Sequence, residues 1–354
     1  MLEQAVTVDG ARPFECWMIS NLALGLAFNC FLPVLLPSYV LSVGGTATDV
    51  WVAMSMAGLF ALLGPSIGRL AGRHQAHRLV QVLGMLGMAA GLLALALSDG
   101  DSLSIVLAIA VMGVGAAAVA VAAPTFILAT DLPADMQARQ LTWLQLNLDL
   151  GKIVGGLLLA TMAADKLSFH TQFRVGGLAM GLLGLLVWAT SGRVTGRIRR
   201  PEQGRPTAGK PSRAVVPWRT LLLSLFGVPV VAQLLGSMTM MEVQTSTMLA
   251  MSGLVGIGLY FLAGRWMSRS DPGWVWATGH ALRGAGGVVL GVVGLAQGTP
   301  YFVVLAAFLV LEATPAIAWM VQTRAVARVA PPATTVVIGV ERASFPSPAL
   351  SQPA

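Results

Sequence analysis

From residue 193 to residue 219 the chain reads RVTGRIRRPEQGRPTAGKPSRAVVPWR, with eight arginines and lysines, four prolines and no apolar periodicity. Such a composition marks a connector and not a packed element. Working outward, about six apolar runs of membrane length precede it and about four follow it. A run of roughly 20 apolar residues is long enough as a helix to cross a hydrocarbon core of roughly 30 Å. The whole chain agrees with this reading: 354 residues, 56% hydrophobic, 10% charged, mean hydropathy +0.76. That composition excludes an ordinary soluble domain and fits a polytopic membrane protein. Backbone groups left unpaired in lipid are costly, so the runs must be helices. A strand barrel would show alternating segments of about ten residues, which the sequence lacks.

Spans are expected near 17–41, 49–68, 79–98, 102–130, 141–164 and 173–191, then 220–240, 247–264, 275–297 and 301–323. The implied organisation is a cytoplasmic tail 1–16, a six-helix bundle 17–191, a basic connector 192–219, a four-helix half 220–323 and a cytoplasmic tail 324–354. The first run contains Pro33 and Pro37 and has no clear small-residue cleavage site, so it reads as an uncleaved helix and not a signal peptide. Cys16 and Cys30 lie in or beside it as small apolar fillers; two cysteines define no disulfide framework and no metal cluster.

Charge sets the expected orientation. Arg69, Arg73 and Arg78 follow span two, the eight basic residues follow span six, Arg265 and Arg269 follow span eight, and Arg324 and Arg328 follow span ten. All fall on one side if the N-terminus is cytoplasmic, which is the positive-inside pattern of a multi-pass plasma-membrane protein, here a bacterial inner membrane. The net charge of +7 is therefore assigned to anionic lipid and topology, with no nucleic-acid partner.

An internal echo supports two related halves. Gly68-Arg69-Leu70-Ala71-Gly72-Arg73 closes span two, and Gly264-Arg265-Trp266-Met267-Ser268-Arg269 closes span eight, each reading G-R-x-x-x-R at a cytoplasmic exit. In this layout the chain resembles the major facilitator superfamily of secondary transporters. The family's loop between helices two and three carries a glycine, then an acid and arginine, then glycine and basic residues. Gly68, Arg73 and Arg78 fit that pattern, whereas Gly72 replaces the acid and Gln75 the second glycine. In span five, Gly151, Gly155 and Gly156 match the family's antiporter helix, with Asn147 and Lys152 replacing its first glycine and its proline. The resemblance implies an all-α, two-bundle fold of about ten spans (6+4) around a central cavity. A gating loop at Gly68, Arg69, Arg73, Arg78, Arg265 and Arg269 is implied as well. Relative to the family, the last two helices are not recovered from the residues after Arg328.

The residues offer a site directly. Gly151 and Gly155 form a small-x-x-x-small face that permits close helix contact. Asp149 and Lys152, three apart, share a helix face and can pair, and Gln145 lies one turn before Asp149 on the same stripe. Charges at bilayer depth cost several kcal/mol, so they usually face an interior or an aqueous path. Two alternatives stand: a structural ion pair, or a pair that exchanges partners when solute or a proton arrives. Asn147, Asn21 and Asn29 join the candidates, although amides also hold helices together. Glu312, flanked by Phe308, Leu309, Val310, Leu311 and Ala313, is a further proton-coupling candidate.

The chain shows no phosphate-cradling loop, no convergent histidine set and no catalytic motif, so no enzyme activity, cofactor or metal is expected. The expected function is proton- or ion-coupled transport of a small solute, with export of an amphipathic compound preferred. Uptake of a small anionic metabolite and a nontransporting scaffold or transporter remnant are the alternatives. A homodimer or a complementary membrane chain would replace any packing the second half lacks.

Overall fold

A computed structural model describes residues 13–192 except 62, 129, 131 and 133, residues 242–267, nine scattered positions between 274 and 289, and residues 301–313. The connector from 193, span seven with Gln233, most of span nine, Arg269 and the tail 324–354 lie outside the described residues. Among the described residues all regular structure is helical. We number the helices α1 (Cys16–Ser42), α2 (Ala47–Ala61), α3 (Gly64–Arg73), α4 (His77–Leu97), α5 (Ser102–Leu128), α6 (Ala134–Ala164), α7 (Phe169–Thr190), α8 (Glu242–Met267) and α9 (Tyr301–Ala313).

Proline accounts for the two irregularities in the first helices. Within α1 the turn Ala27–Phe31 is a π-helix, directly before Pro33. Pro33 has no N–H for the Asn29 carbonyl, and its ring would crowd that oxygen, so widening the preceding turn relieves the clash. The second span was expected as one run over 49–68. It is instead two helices, because α2 stops at Ala61 and α3 restarts with Pro65 in its first turn. Pro65 cannot donate to Ala61, and its fixed φ suits the start of a helix. The G-R-x-x-x-R residues are therefore helical, with Arg73 the last residue of α3, and only His74–Ala76 form the turn into α4. In that turn Gln75 adopts φ 53°, a left-handed conformation that favours glycine.

Packing follows the small residues. A Cβ on Gly84 of α4 would lie 2.6 Å from the Gly115 carbonyl of α5, so these two helices touch through their backbones. Helix α1 is central and mostly buried, whereas α7 is mostly exposed on its outer side. The α7 surface carries exposed Leu178, Leu182 and Leu185, an arrangement suited to lipid as the outer solvent.

Both ends of this bundle are tied. At one end the Tyr39 hydroxyl donates to the Ser98 carbonyl at 3.0 Å, and its ring meets Phe169, His170 and Phe173 edge-on. At the other end Arg78 donates to Ser191 Oγ at 3.1 Å and to the Trp188 carbonyl at 2.6 Å while lying over the Trp188 ring. Helix α8 then runs along α6, and α9 packs on α8.

Candidate functional site

Helix α6 meets α1 on one flank and α8 on another. Against α1 the approach needs glycine: a Cβ on Gly151 would overlap the Leu22 carbonyl, and one on Gly25 would overlap the Leu148 carbonyl. Gly155 completes the face, its Cβ position lying 3.0 Å from Cys30 Cβ. This close seat fixes the rotation of α6 and directs Asp149, Lys152 and Ile153 toward α8.

Asp149 and Lys152 are 6% and 4% exposed. Lys152 Nζ donates to Ser252 Oγ of α8 at 3.2 Å, a bond between residues one hundred positions apart. The Asp149 carboxylate faces Gly256, where a Cβ would lie 2.9 Å from Oδ2. Gly253 sits between, its Cβ position 3.0 Å from the Asp149 carbonyl and 2.6 Å from Ile153 Cγ1. Two ionisable groups thus lie at a helix seam where α8 presents Ser252, Gly253 and Gly256. With little screening, changing the charge or partner of either group is worth far more here than at a surface.

The register of this antiparallel pair extends the seam. Lys152 stands opposite Ser252 and Asp149 opposite Gly256, so one further turn brings Gln145 level with Tyr260. Gln145 is 1% exposed, and its Oε1 has no hydrogen-bond partner among the described residues. Tyr260 is also fully buried. Ser252, Gly253, Gly256 and Tyr260 were not among the residues expected from sequence. Their signal was legible, since Ser252 and Gly256 repeat the small-x-x-x-small spacing of Gly151 and Gly155.

The remaining candidates separate. Asn21 is buried on α1 and donates to the Leu144 carbonyl at 2.9 Å, so it joins α1 to α6. Asn147 donates to the Trp143 carbonyl of its own helix at 2.7 Å. Asn29 is half-buried in the π turn of α1. Arg69 and Arg73 are exposed on α3, with Arg69 donating to Ser66 Oγ at 3.3 Å, and Gly68 is buried there. Arg78 belongs to α4 and is engaged with α7. Arg265 and Glu312 lie on α8 and α9, but their side chains lie outside the described residues.

The sequence also passed over two polar links, one buried and one half-buried. Gln81 on α4 donates to Ser20 Oγ on α1 at 2.7 Å. Glu15, just ahead of α1, accepts from Trp17 Nε1 at 3.1 Å and from Gln140 Nε2 of α6 at 3.2 Å.

Comparison with known proteins converges on one family. The family model described as Major Facilitator Superfamily matches residues 17–345. No curated protein matches the sequence. Among solved structures, a POT family transporter in complex with a thioalcohol-conjugated peptide superposes with a TM-score of 0.72 at 11% identity, covering 93% of this chain and 88% of that one. A D-xylose-proton symporter gives 0.62 at 14% identity, covering 93% and 87%. The human organic anion transporter MFSD10 gives 0.63 at 16% identity, covering 95% and 89%. At these identities the likeness is one of fold.

Proposed function

Given that the chain belongs to the major facilitator superfamily, and is therefore a multi-pass membrane transporter and not an enzyme, we propose that it moves a small solute by proton or ion coupling through the α6–α8 seam. One observation carries the site: Asp149 and Lys152 are buried where the first bundle meets α8. In this reading the alternating halves are residues 17–191 and 220–323, joined by the basic connector 192–219. Parting the seam admits water and solute to two charges that are otherwise enclosed. Lys152 then exchanges Ser252 for an anionic group, or Asp149 takes up a proton and alters the balance of charge at the seam.

Export of an amphipathic compound is the preferred direction, supported by the partial antiporter pattern at Gly151, Gly155 and Gly156 and by the sparse charge of the chain. Uptake of a small anionic solute is the second reading, and the Lys152 ammonium favours it. The orientation proposed is plasma membrane with the N-terminus in the cytoplasm, from the arginine distribution.

The test is transport by the full chain in proteoliposomes across a panel of small amphipathic and anionic solutes, with and without a proton gradient. Asp149→Asn removes the dependence on the gradient. Lys152→Ala lowers the rate by about tenfold or more, the scale of a lost charged hydrogen bond. Wild-type rates and pH dependence in both variants, at equal membrane abundance, would remove these residues from the mechanism.

A further inference from the structure

We propose that Gln145 is a solute-recognition residue of the α6–α8 seam, and that it reads a neutral group carrying an N–H donor and a carbonyl acceptor on one edge, as in a primary amide or a lactam. The inference rests on the reading of that seam as the solute route, and it names the chemical class the route selects.

Six carboxamides are buried among the described residues: Asn21, Gln81, Gln140, Gln145, Asn147 and Gln172. Five of them use the amide nitrogen to hold the fold. Asn21 donates to the Leu144 carbonyl, Gln81 to Ser20, Gln140 to Glu15, Asn147 to the Trp143 carbonyl and Gln172 to the Leu167 carbonyl. Gln145 differs. It is 1% exposed and makes no hydrogen bond among the described residues, through either its oxygen or its nitrogen. An enclosed carboxamide with neither end satisfied costs free energy that an apolar side chain of the same shape would not. A residue that weakens the resting fold in this way is expected where binding needs its polarity.

Local structure sets its direction. The α1 contact takes up Leu144, Leu148 and Gly151: Asn21 grips the Leu144 carbonyl, Gly25 lies against the Leu148 carbonyl and Gly151 against the Leu22 carbonyl. One residue on from Leu144, Gln145 falls on the neighbouring stripe with Asp149 and Lys152, which meets α8 at Gly256 and Ser252. Its Cα stands about 6 Å along the helix axis from that of Asp149 and about 10 Å from that of Lys152. A solute of moderate length can therefore engage the charged groups with one end and Gln145 with the other.

The carboxamide fixes the class. It offers an acceptor and a donor side by side, so its best partner presents the same two in reverse order. A primary amide or a lactam does this with two parallel hydrogen bonds. A ketone satisfies the nitrogen alone, and an alkyl group satisfies neither atom, which leaves the glutamine unpaired in the complex.

The experiment compares three carboxylates of matched shape in proteoliposomes of the full chain: para-carbamoylmethyl benzoate, para-oxopropyl benzoate and para-isobutyl benzoate. Initial rates are corrected for protein-free liposomes. Wild type moves the carbamoyl probe about tenfold faster than the isobutyl probe, the scale set by two hydrogen bonds made or left unmade. Gln145→Met abolishes that preference, and Gln145→Asn, which keeps a shorter amide, retains part of it. Equal rates for the three probes in wild type, transport of none of them, or a preference that survives in Gln145→Met overturns the proposal.

Thermal unfolding of the same chains in detergent, without any probe, gives an independent reading. Gln145→Met raises the midpoint by about 2 °C or more, because it removes an unpaired buried amide. Gln81→Met, which breaks the tie from α4 to Ser20, lowers it. An unchanged or lower midpoint in Gln145→Met overturns the proposal. If Asp149→Asn and Lys152→Ala keep wild-type rates and the amide preference, the roles of the two charges fall and the assignment of Gln145 stands. If those variants lose transport while Gln145→Met keeps the preference, the charges stand and the assignment of Gln145 falls.

Discussion

At the scale of single residues, the chemistry concentrates where helices approach through glycine. Asp149 and Lys152 are the charges that the sequence singles out in span five, and both are buried against α8. What the sequence could not supply was the pairing of these charges with Ser252, Gly253 and Gly256, because a small-residue spacing is legible locally but does not say which helix about one hundred residues away it faces. Outside the membrane the residue scale is simpler. Asp101 precedes α5 and accepts from the Ser104 N–H at 2.8 Å. The Ser104 side chain and backbone N–H hold its carboxyl below the ordinary value. A depressed folded pKa means that this cap stabilises the fold above about pH 4 and is lost as pH falls through the folded value. Asp101→Asn, which still caps, should therefore remove the acid dependence of this cap while keeping the helix start. Asp101→Ala should lower thermal stability at pH 7. Melting curves in detergent between pH 3 and pH 7 check both expectations.

At the scale of elements, backbone contact decides which substitutions the molecule tolerates. A valine at Gly151 would collide with the Leu22 carbonyl and with Leu26 N, 2.9 Å from its Cβ, neither of which can rotate away. Gly151→Val should destabilise by about 3 kcal/mol or more. The control is Gly181→Val on α7, where nothing lies within 4 Å of the new Cβ and thermal stability should hardly change. Equal melting temperatures for the two variants would contradict the α1–α6 contact.

The turn between α3 and α4 predicts the opposite sign. Gln75 holds φ 53° at the place where the resembled family carries a glycine. Gln75→Gly should raise stability by about 0.5–1 kcal/mol, since relief of the left-handed strain exceeds the extra freedom glycine has when unfolded. A lower melting temperature would show that the Gln75 Nε2 bond to the Gly72 carbonyl outweighs the strain.

At the scale of the whole molecule, the first bundle is tied at both ends, and it meets α8 through Gly253, Gly256 and the Lys152–Ser252 hydrogen bond. Tyr39 and Arg78 join α1, α4 and α7 at opposite ends, and Glu15 reaches Gln140 of α6. Orientation belongs to this scale too. Cys16 is exposed and Cys30 is buried, so a membrane-impermeant maleimide should label Cys16 in inside-out vesicles and leave right-side-out vesicles unlabelled. The reverse pattern would invert the proposed topology.

The sequence by itself determined the solvent, the helical class, the family resemblance and the two charges in span five, because lipid forbids unpaired backbone and makes a buried ion conspicuous against apolar neighbours. It also placed Gly151 and Gly155 on one face, since a spacing of four is a local property of the helix. Only the tertiary structure decided which helix each face meets. It assigned Gly151 to α1, set Asp149 and Lys152 against α8, made Asn21 a link to α6 and satisfied Asn147 within its own helix. The split of span two belongs with these decisions: the run 49–68 reads as one span in the sequence, and the helix restart at Gly64 appears only in the fold. Periodicity records which residues share a stripe, whereas the partner of that stripe depends on long-range packing that no local pattern encodes.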